Sequence, residues 1–383
     1  MQIGFDATVL TRPTTSGVER YTRELIRRIV AEAPQHRFLL SYFRGPRDPR
    51  REVPTPHDNV AFRPIERVPL RLYRSLYMRH VAPPFDLLSR GRADVFMFPD
   101  FVRWPVLTRR SIIVVHDLAF ARRPGYVPEG TRGFLGPSVP RSIAKANRVV
   151  AVSEFTKREL TARYAVEPDR IAVVPNAVDH GHFRPRTTSE IEAVIRMFEI
   201  DRPYVLMTGT LEPRKNVGGL LEAFASLPSP IRETHTVVLA GGAGWMDEEI
   251  HDTIERLRRD GLRVIQTGYV GTSDLPALYS GAAAFVLPSH YEGFGIPVLE
   301  AMACGTPVVT SSTTSLPEVA GEAAILVAPD DTAQLATAIQ RVLVDPVLCD
   351  QLVERGLARA RDFSWEASAR AMIALLEQVG EER

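Results

Sequence analysis

The feature that most constrains this chain is the end-to-end alternation of short apolar, strand-like runs with amphipathic, helix-like segments. A chain so patterned buries its strands in mainly parallel sheets and covers both faces with helices. Runs at 2–7, 38–42, 95–98, 112–115, 148–152 and 170–174 read as strands, each β-branched or aromatic with turn residues nearby. Residues 17–31 read as an amphipathic helix after the first of them. A second series begins after His180-Gly181-His182-Phe183-Arg184-Pro185. Its strands lie at 204–208, 236–240, 263–267, 284–287, 307–310 and 324–327, with helices at 217–226, 248–259 and 331–343. At 383 residues the chain exceeds one comfortable hydrophobic core. The pattern therefore predicts two doubly wound α/β domains facing a cleft, residues 1–184 and 185–383. Residues 44–80, rich in Arg and Pro, read as a long connection followed by a short helix at 70–80.

Composition narrows the class. Apolar residues make up 45% and charged residues 24%, which fits a soluble globular protein and not a disordered one. The chain opens Met1-Gln2-Ile3-Gly4-Phe5-Asp6 without a basic leader, and no stretch approaches the roughly 18 apolar residues of a membrane span. Neither secretion nor transmembrane anchoring is expected. Two cysteines, Cys304 and Cys349, are too few for a disulfide scaffold or a four-cysteine zinc site, so a reducing cytoplasm fits. The net charge of +1 hides an asymmetry: residues 1–184 hold 31 Lys and Arg against 18 Asp and Glu, a net of +13, which leaves −12 for the remainder. A basic half suits an anionic partner, whether membrane surface, acidic glycan, nucleotide or nucleic acid.

The densest local signal is Ser289-His290-Tyr291-Glu292-Gly293-Phe294-Gly295-Ile296-Pro297-Val298-Leu299-Glu300-Ala301-Met302-Ala303-Cys304-Gly305, directly after a strand. Pro297 suits the first helical position and Gly305 a left-handed stop. Gly293 and Gly295 let backbone N–H groups approach a ligand at the helix amino end, a seat for phosphate. Glu292 in the loop and Glu300 in the first turn are placed to face different parts of one extended ligand, and sugar hydroxyls are natural partners for them. The alternative is helix capping plus a solvated glutamate. Gly209-Thr210-Leu211-Glu212-Pro213-Arg214-Lys215-Asn216 again follows a strand and precedes a helix. Arg214 and Lys215 together suit a diphosphate, against the alternative of a solvated surface pair. His116-Asp117-Leu118 follows the run 112–115. His116 there suits either a sugar hydroxyl or a backbone carbonyl. Gly17, within Thr15-Ser16-Gly17-Val18-Glu19-Arg20-Tyr21, opens the first helix as a possible phosphate or acceptor loop.

Some signals are missing. There is no Asp-x-Asp metal clamp and no His–Cys cluster, so no metal is expected. Phosphate-loop and dinucleotide fingerprints are likewise missing, and Gly241-Gly242-Ala243-Gly244 reads as a tight strand-end turn.

Taken together, these residues resemble the retaining GT-B glycosyltransferases of the group 1 family, which includes many mannosyltransferases. The resemblance rests on Glu292-x7-Glu300, Arg214-Lys215, His116-Asp117, Val152-Ser153-Glu154-Phe155-Thr156-Lys157 and Ser16-Gly17, and it spans nearly the whole chain. It implies two Rossmann-like domains, the first on the acceptor side and the second binding a nucleotide sugar. It further implies that Glu300 holds the ribose, that amides near Phe294 and Gly295 with Arg214 and Lys215 hold the diphosphate, and that Glu292 and His116 contact the transferred sugar. The last helix, about 366–383, would cross back onto the first domain, and closure of the two domains would exclude water.

The expected donor is GDP-mannose, ahead of UDP-glucose and dTDP-rhamnose, with no other cofactor. The expected acceptor is a glycan or a lipid-linked molecule, used in making a cell-surface polysaccharide or glycolipid. Arg71, Arg74 and Arg79 beside Leu72, Tyr73, Leu76 and Tyr77 suit a peripheral seat on an anionic leaflet, or else an ordinary packed helix with a basic edge. Two other functions fit the same architecture: a nucleotide-sugar epimerase and a silent nucleotide-sugar-binding subunit. Nucleic acid is not an expected partner, since no recognised motif or stacking pattern accompanies the charge.

Overall fold

The computed structural model describes residues 1–13, 16–53, 58–242 and 244–382. Thr15 of the first glycine loop and Ala243 of the glycine run therefore lie outside the described residues. The chain divides into two units, Met1–Asn176 with Trp365–Arg383, and Ala177–Ser364. The division falls after Asn176 rather than after residue 184. Val178 already bridges Ser364, and the Phe183 ring packs edge-on against Tyr279, 6.2 Å between centroids.

The first unit holds a seven-stranded, wholly parallel sheet in the order β3-β2-β1-β4-β5-β6-β7. Its strands are β1 Gln2–Asp6, β2 Arg37–Phe43, β3 Val60–Ile65, β4 Val95–Phe98, β5 Ser111–Val115, β6 Arg148–Ala151 and β7 Ile171–Val173. Central strands read as unbroken apolar runs because helices cover both faces; every residue of β4 and β5 is buried. The segment read as a plain connection contains β3 and a short helix, Pro49–Glu52. Arg63 and Pro64 argue against a strand in the sequence. The structure accommodates them because β3 is the sheet's edge, where a missing N–H can face away from the ladder. Helix Trp365–Glu381 packs on helix Gly17–Glu32. Trp365 sits edge-on to Tyr21 at 5.9 Å, an ion pair joins Arg28 to Glu366, and a hydrogen bond of 2.8 Å joins His36 Nε2 to Glu377.

The second unit is a six-stranded parallel sheet in the order β10-β9-β8-β11-β12-β13. Its strands are β8 Tyr204–Thr208, β9 Thr236–Ala240, β10 Val264–Gly268, β11 Ala284–Leu287, β12 Val308–Ser311 and β13 Ala324–Val327. Strand order reverses between β1 and β4 in the first sheet and between β8 and β11 in the second. At such a point the loops leaving adjacent strands turn to opposite faces and open a crevice at the carboxyl ends.

Glycine is required where β9 ends. An added Cβ on Gly241 would lie 1.9 Å from the Gly209 carbonyl oxygen, so the loops after β8 and β9 touch through bare backbone. Gly241→Ala should therefore destabilise the protein by about 1–3 kcal/mol, read as an earlier urea midpoint with unchanged slope. A midpoint equal to wild type would show that the two loops can part without cost.

Candidate active site

The crevice of the second unit is built by two loops. The β8 loop ends in the turn Pro213–Lys215, and the β11 loop runs into helix Ile296–Ala303. Because β8 and β11 are neighbours, the loops meet: the His290 N–H donates to the Arg214 carbonyl at 2.9 Å. Arg214 Nη1 then donates to Glu292 Oε2 at 2.6 Å and to the Tyr291 carbonyl at 2.7 Å, while Nη2 reaches Glu212 Oε1. Lys215 Nζ donates to Glu292 Oε1 at 3.0 Å, and Ser289 Oγ to the same oxygen at 3.1 Å. Glu212, Lys215 and Glu292 are all buried.

Burial alone would push both glutamates toward the neutral acid, yet their fates differ. At Glu292 burial is outweighed by the Arg214 and Lys215 charges and their hydrogen bonds, which hold its pKa at about 2. At Glu212 burial wins and the pKa is raised, despite the pull of the same two cations. Glu292 is thus a permanent anion that places two cations, not a proton donor.

The loop expected to seat phosphate is fixed from below. The Ser315 hydroxyl lies 2.9 and 2.8 Å from the carbonyl oxygens of Glu292 and Phe294, which share its one proton, and the Phe294 ring packs edge-on against Phe363. Gly293 lies between these two anchored residues. Gly295 caps the helix at φ +116°, and an added Cβ would meet Leu316 Cδ2 at 2.7 Å, so only glycine fits. Glu300 is the fifth residue of the helix, in its second turn and not its first. Its Oε2 accepts from the Tyr279 hydroxyl at 2.9 Å. Asn216, at φ +56°, caps the next helix and ties the β8 loop to the Pro288 and Pro329 carbonyls.

Gly17 and His116 belong to the first unit. His116 is buried behind β5, and its Nε2–H donates to the Pro99 carbonyl at 2.7 Å. Burial lowers its pKa, so it is the neutral imidazole whose Nδ1 is the acceptor face. Of the two partners considered for it, Nε2 takes the carbonyl. Asp117 accepts from the Ala119 N–H and shapes the loop. Gly17 opens its helix behind the Ser16 cap, and an added Cβ there would meet nothing within 4 Å, so packing does not demand the glycine. Ser153 caps helix Glu154–Tyr164.

The structure thus joins Arg214, Lys215 and Glu292 directly, puts Gly293, Phe294 and Gly295 in the loop that follows Glu292, and places Glu300 on the helix that this loop enters, where it bonds Tyr279 beneath the crevice. Sequence reasoning missed Glu212, Ser289 and Thr314 as members, although the first two lay inside the quoted motifs. Thr314 Oγ1 accepts the Glu292 N–H at 3.2 Å. It missed Tyr279 because that residue lies on a separate helix with no motif. In the first unit it missed the polar group at the β1/β4 switch point, where Asp6 accepts from Thr8 and from Trp104 Nε1, and Asp100 pairs with Arg12.

The Glu292 clamp makes a pH prediction. Its folded pKa lies below the ordinary 4.5, so its contribution to stability is full above that value and is lost as pH falls toward 2. In urea titrations, the gap between wild type and Glu292→Gln should be constant from neutrality to about pH 5 and shrink below it. A gap independent of pH would show that Glu292 is not held as a paired anion.

Comparison with known proteins bears on this geometry. Residues 191–359 match the family described as glycosyl transferases group 1, and residues 15–182 match glycosyltransferase family 4. The O-antigen chain mannosyltransferase B of Escherichia coli is 33% identical, over 96% of this chain and 97% of its own length. Sucrose-phosphate synthase from Thermosynechococcus elongatus superposes with a TM-score of 0.76 at 24% identity, over 99% of this chain and 98% of that one. HepE of Anabaena, solved with UDP-glucose, gives a TM-score of 0.73 at 19% identity over 99% of both chains. The two structural likenesses speak for the fold, and the sequence matches for the family. The chain belongs to the group 1 glycosyltransferases and has their GT-B fold of two Rossmann-like domains.

Proposed function

We propose that the chain is a retaining, metal-independent hexosyltransferase. It moves mannose from GDP-mannose to a hydroxyl of a glycan or lipid-linked acceptor in the synthesis of a cell-surface polysaccharide. The observation that carries the reading is the pair of cations fixed on Glu292, Arg214 at 2.6 Å and Lys215 at 3.0 Å, at the start of the Gly293–Gly295 loop that enters the helix carrying Glu300. The name of the Escherichia coli relative, an O-antigen chain mannosyltransferase, supports the sugar and the product class.

In this reading the C1–oxygen bond to the diphosphate breaks while the acceptor oxygen bonds C1 on the same face. The acceptor proton passes to the departing phosphate oxygen. Lysine has three N–H donors and Glu292 takes one of those of Lys215, so the ammonium can also meet phosphate as negative charge grows on it. Arg214 and Lys215 need not reorganise when that happens, because their carboxylate partners hold them beforehand. Glu300 holds the ribose. No nucleophilic side chain is required, and a trapped glycosyl–enzyme adduct would overturn the front-face route.

The acceptor side of the reading includes an anionic leaflet. No helix among the described residues is long and apolar enough to cross a membrane. On helix Leu70–Met78, Tyr73 and Tyr77 are buried and serve the core; the exposed apolar residues are instead Leu72, Val81, Leu87 and Leu107. Hydrogen bonds knit their segments together, from Tyr73 Oη to the Pro83 carbonyl and from the Leu107 and Thr108 N–H groups to Asp86. Arg71, Arg79, Arg90 and Arg109 stand exposed among them. Exposed apolar side chains, each within three residues of an exposed arginine in sequence, suit the boundary between headgroups and acyl chains.

Two experiments test the reading. In calorimetry without added metal, GDP-mannose should bind more tightly than UDP-glucose, UDP-N-acetylglucosamine and dTDP-rhamnose, and Glu300→Ala should weaken it by about tenfold or more. Selective binding of a different donor would replace mannose, and nucleotide release without acceptor would favour an epimerase. For the surface, wild type should co-sediment with phosphatidylglycerol vesicles at low salt, and changing Leu72, Val81, Leu87 and Leu107 together to Ser should abolish this. Wild type remaining in the supernatant would remove the membrane.

A further inference from the structure

Beneath the β8/β11 crevice, three elements send hydroxyl and carboxyl groups to one buried point. Thr208 is the last residue of β8, Tyr279 comes from helix Leu275–Ser280, and Glu300 from helix Ile296–Ala303. Thr208 Oγ1 and Tyr279 Oη are 2.7 Å apart, and Tyr279 Oη lies 2.9 Å from Glu300 Oε2. All three residues are buried. The direction of the protons follows from the contacts: Tyr279 Oη donates to Glu300 Oε2, and a phenol has a single proton, so the Thr208 hydroxyl must donate to the phenol oxygen.

The phenol itself is held from several sides. Its ring packs against Phe285 of β11 at 5.5 Å and against Phe183 at 6.2 Å, and its backbone carbonyl accepts from Thr306 Oγ1 at 2.7 Å. A side chain so fixed imposes its own geometry on the group it bonds. With one oxygen tied to a rigid donor, the Glu300 carboxylate plane cannot rotate freely. A carboxylate of fixed plane matches a cis-diol, whose two O–H donors stand side by side as the two carboxylate oxygens do. A sugar with only one of those hydroxyls leaves half of that match unmade, in a buried place where an unmade hydrogen bond is costly.

Resting on the reading of Glu300 as the ribose contact, we propose that Tyr279 is a positioning residue that sets the sugar of the nucleotide. By fixing the Glu300 carboxylate it makes the enzyme select ribonucleoside diphosphate donors over 2′-deoxyribonucleoside diphosphate donors. The substrate class narrows accordingly to GDP- and UDP-type sugars and away from dTDP-type sugars. Thr208 acts one step further back, by holding the phenol oxygen.

The test compares calorimetric affinities for GDP and 2′-deoxy-GDP, with UDP and 2′-deoxy-UDP in parallel. The proteins are wild type, Tyr279→Phe, Thr208→Val and Glu300→Ala, each checked by thermal melting. Wild type should prefer the ribonucleotide by about tenfold or more, as expected for a hydrogen bond to a charged group. Tyr279→Phe keeps the ring and should cut that preference by about threefold to tenfold, with affinity for the deoxynucleotide nearly unchanged. Thr208→Val should act in the same direction and less strongly, and carries the test if Tyr279→Phe does not fold. Glu300→Ala should abolish the preference. A purely structural role for Tyr279 would weaken both nucleotides equally, and that result overturns the inference. A preference lost in Glu300→Ala but intact in Tyr279→Phe and Thr208→Val also overturns it, while leaving the ribose reading standing. No preference in wild type, or one that survives Glu300→Ala, removes the ribose reading and the inference together.

Discussion

The Glu292 carboxylate, gripped by Arg214 and Lys215 where β8 and β11 part, is the contact on which the site depends. Removing a charged group from water costs several kcal/mol even after relaxation, and here four lie close together. Each ion contact near 3 Å returns about 4–6 kcal/mol at an effective dielectric near 20. The arrangement is therefore tolerable only when every partner is in place. That explains why so much of the local structure serves to aim these groups. Gly241 lets two loops touch, Asn216 turns the chain left-handed after Lys215, Ser289 supplies a further donor, and Ser315 pins the loop behind Glu292.

The same contact underlies the proposed chemistry. A glutamate held at a pKa of about 2 by two cations is a poor acid and a weak base, so its work is to place positive charge. Glu212, bonded to the other side of Arg214 with its own pKa raised by burial, keeps the guanidinium from swinging onto Glu292 alone. Two preset cations beside a glycine loop suit a reaction whose difficulty is the charge growing on a leaving diphosphate. Such groups act without paying reorganisation at the moment of reaction. No acid–base pair of side chains is needed for that, and the first unit's His116, neutral and bonded to a carbonyl, is a hydrogen-bond partner rather than a proton carrier.

Much of this was legible in the sequence, because parallel strands buried on both faces read as unbroken apolar runs and glycine-rich loops follow them. The strands of the second unit fall within a residue of their expected places. Edge strand β3 was not legible, since Arg63 and Pro64 are signals against a strand and are excused only by its position at the sheet's margin. Glu300 was expected within the first turn and lies one residue beyond it, because the helix begins at Ile296 and Pro297 is its second residue. Tyr279 and Thr314 were invisible for a different reason. Their roles come from strand order, which brings segments distant in sequence beside the motif, and no local pattern encodes that meeting. His116 had two possible partners in the sequence, and only the fold brings the Pro99 carbonyl to its ring.

The most direct measurement is a crystal structure of the protein with bound nucleoside diphosphate, GDP first. The account predicts the diphosphate within hydrogen-bond distance of Lys215 Nζ and the Gly293–Gly295 amides, and the ribose hydroxyls on Glu300, with Glu292 still bonded to Arg214. A nucleotide seated elsewhere, or a ribose turned away from Glu300, would contradict it.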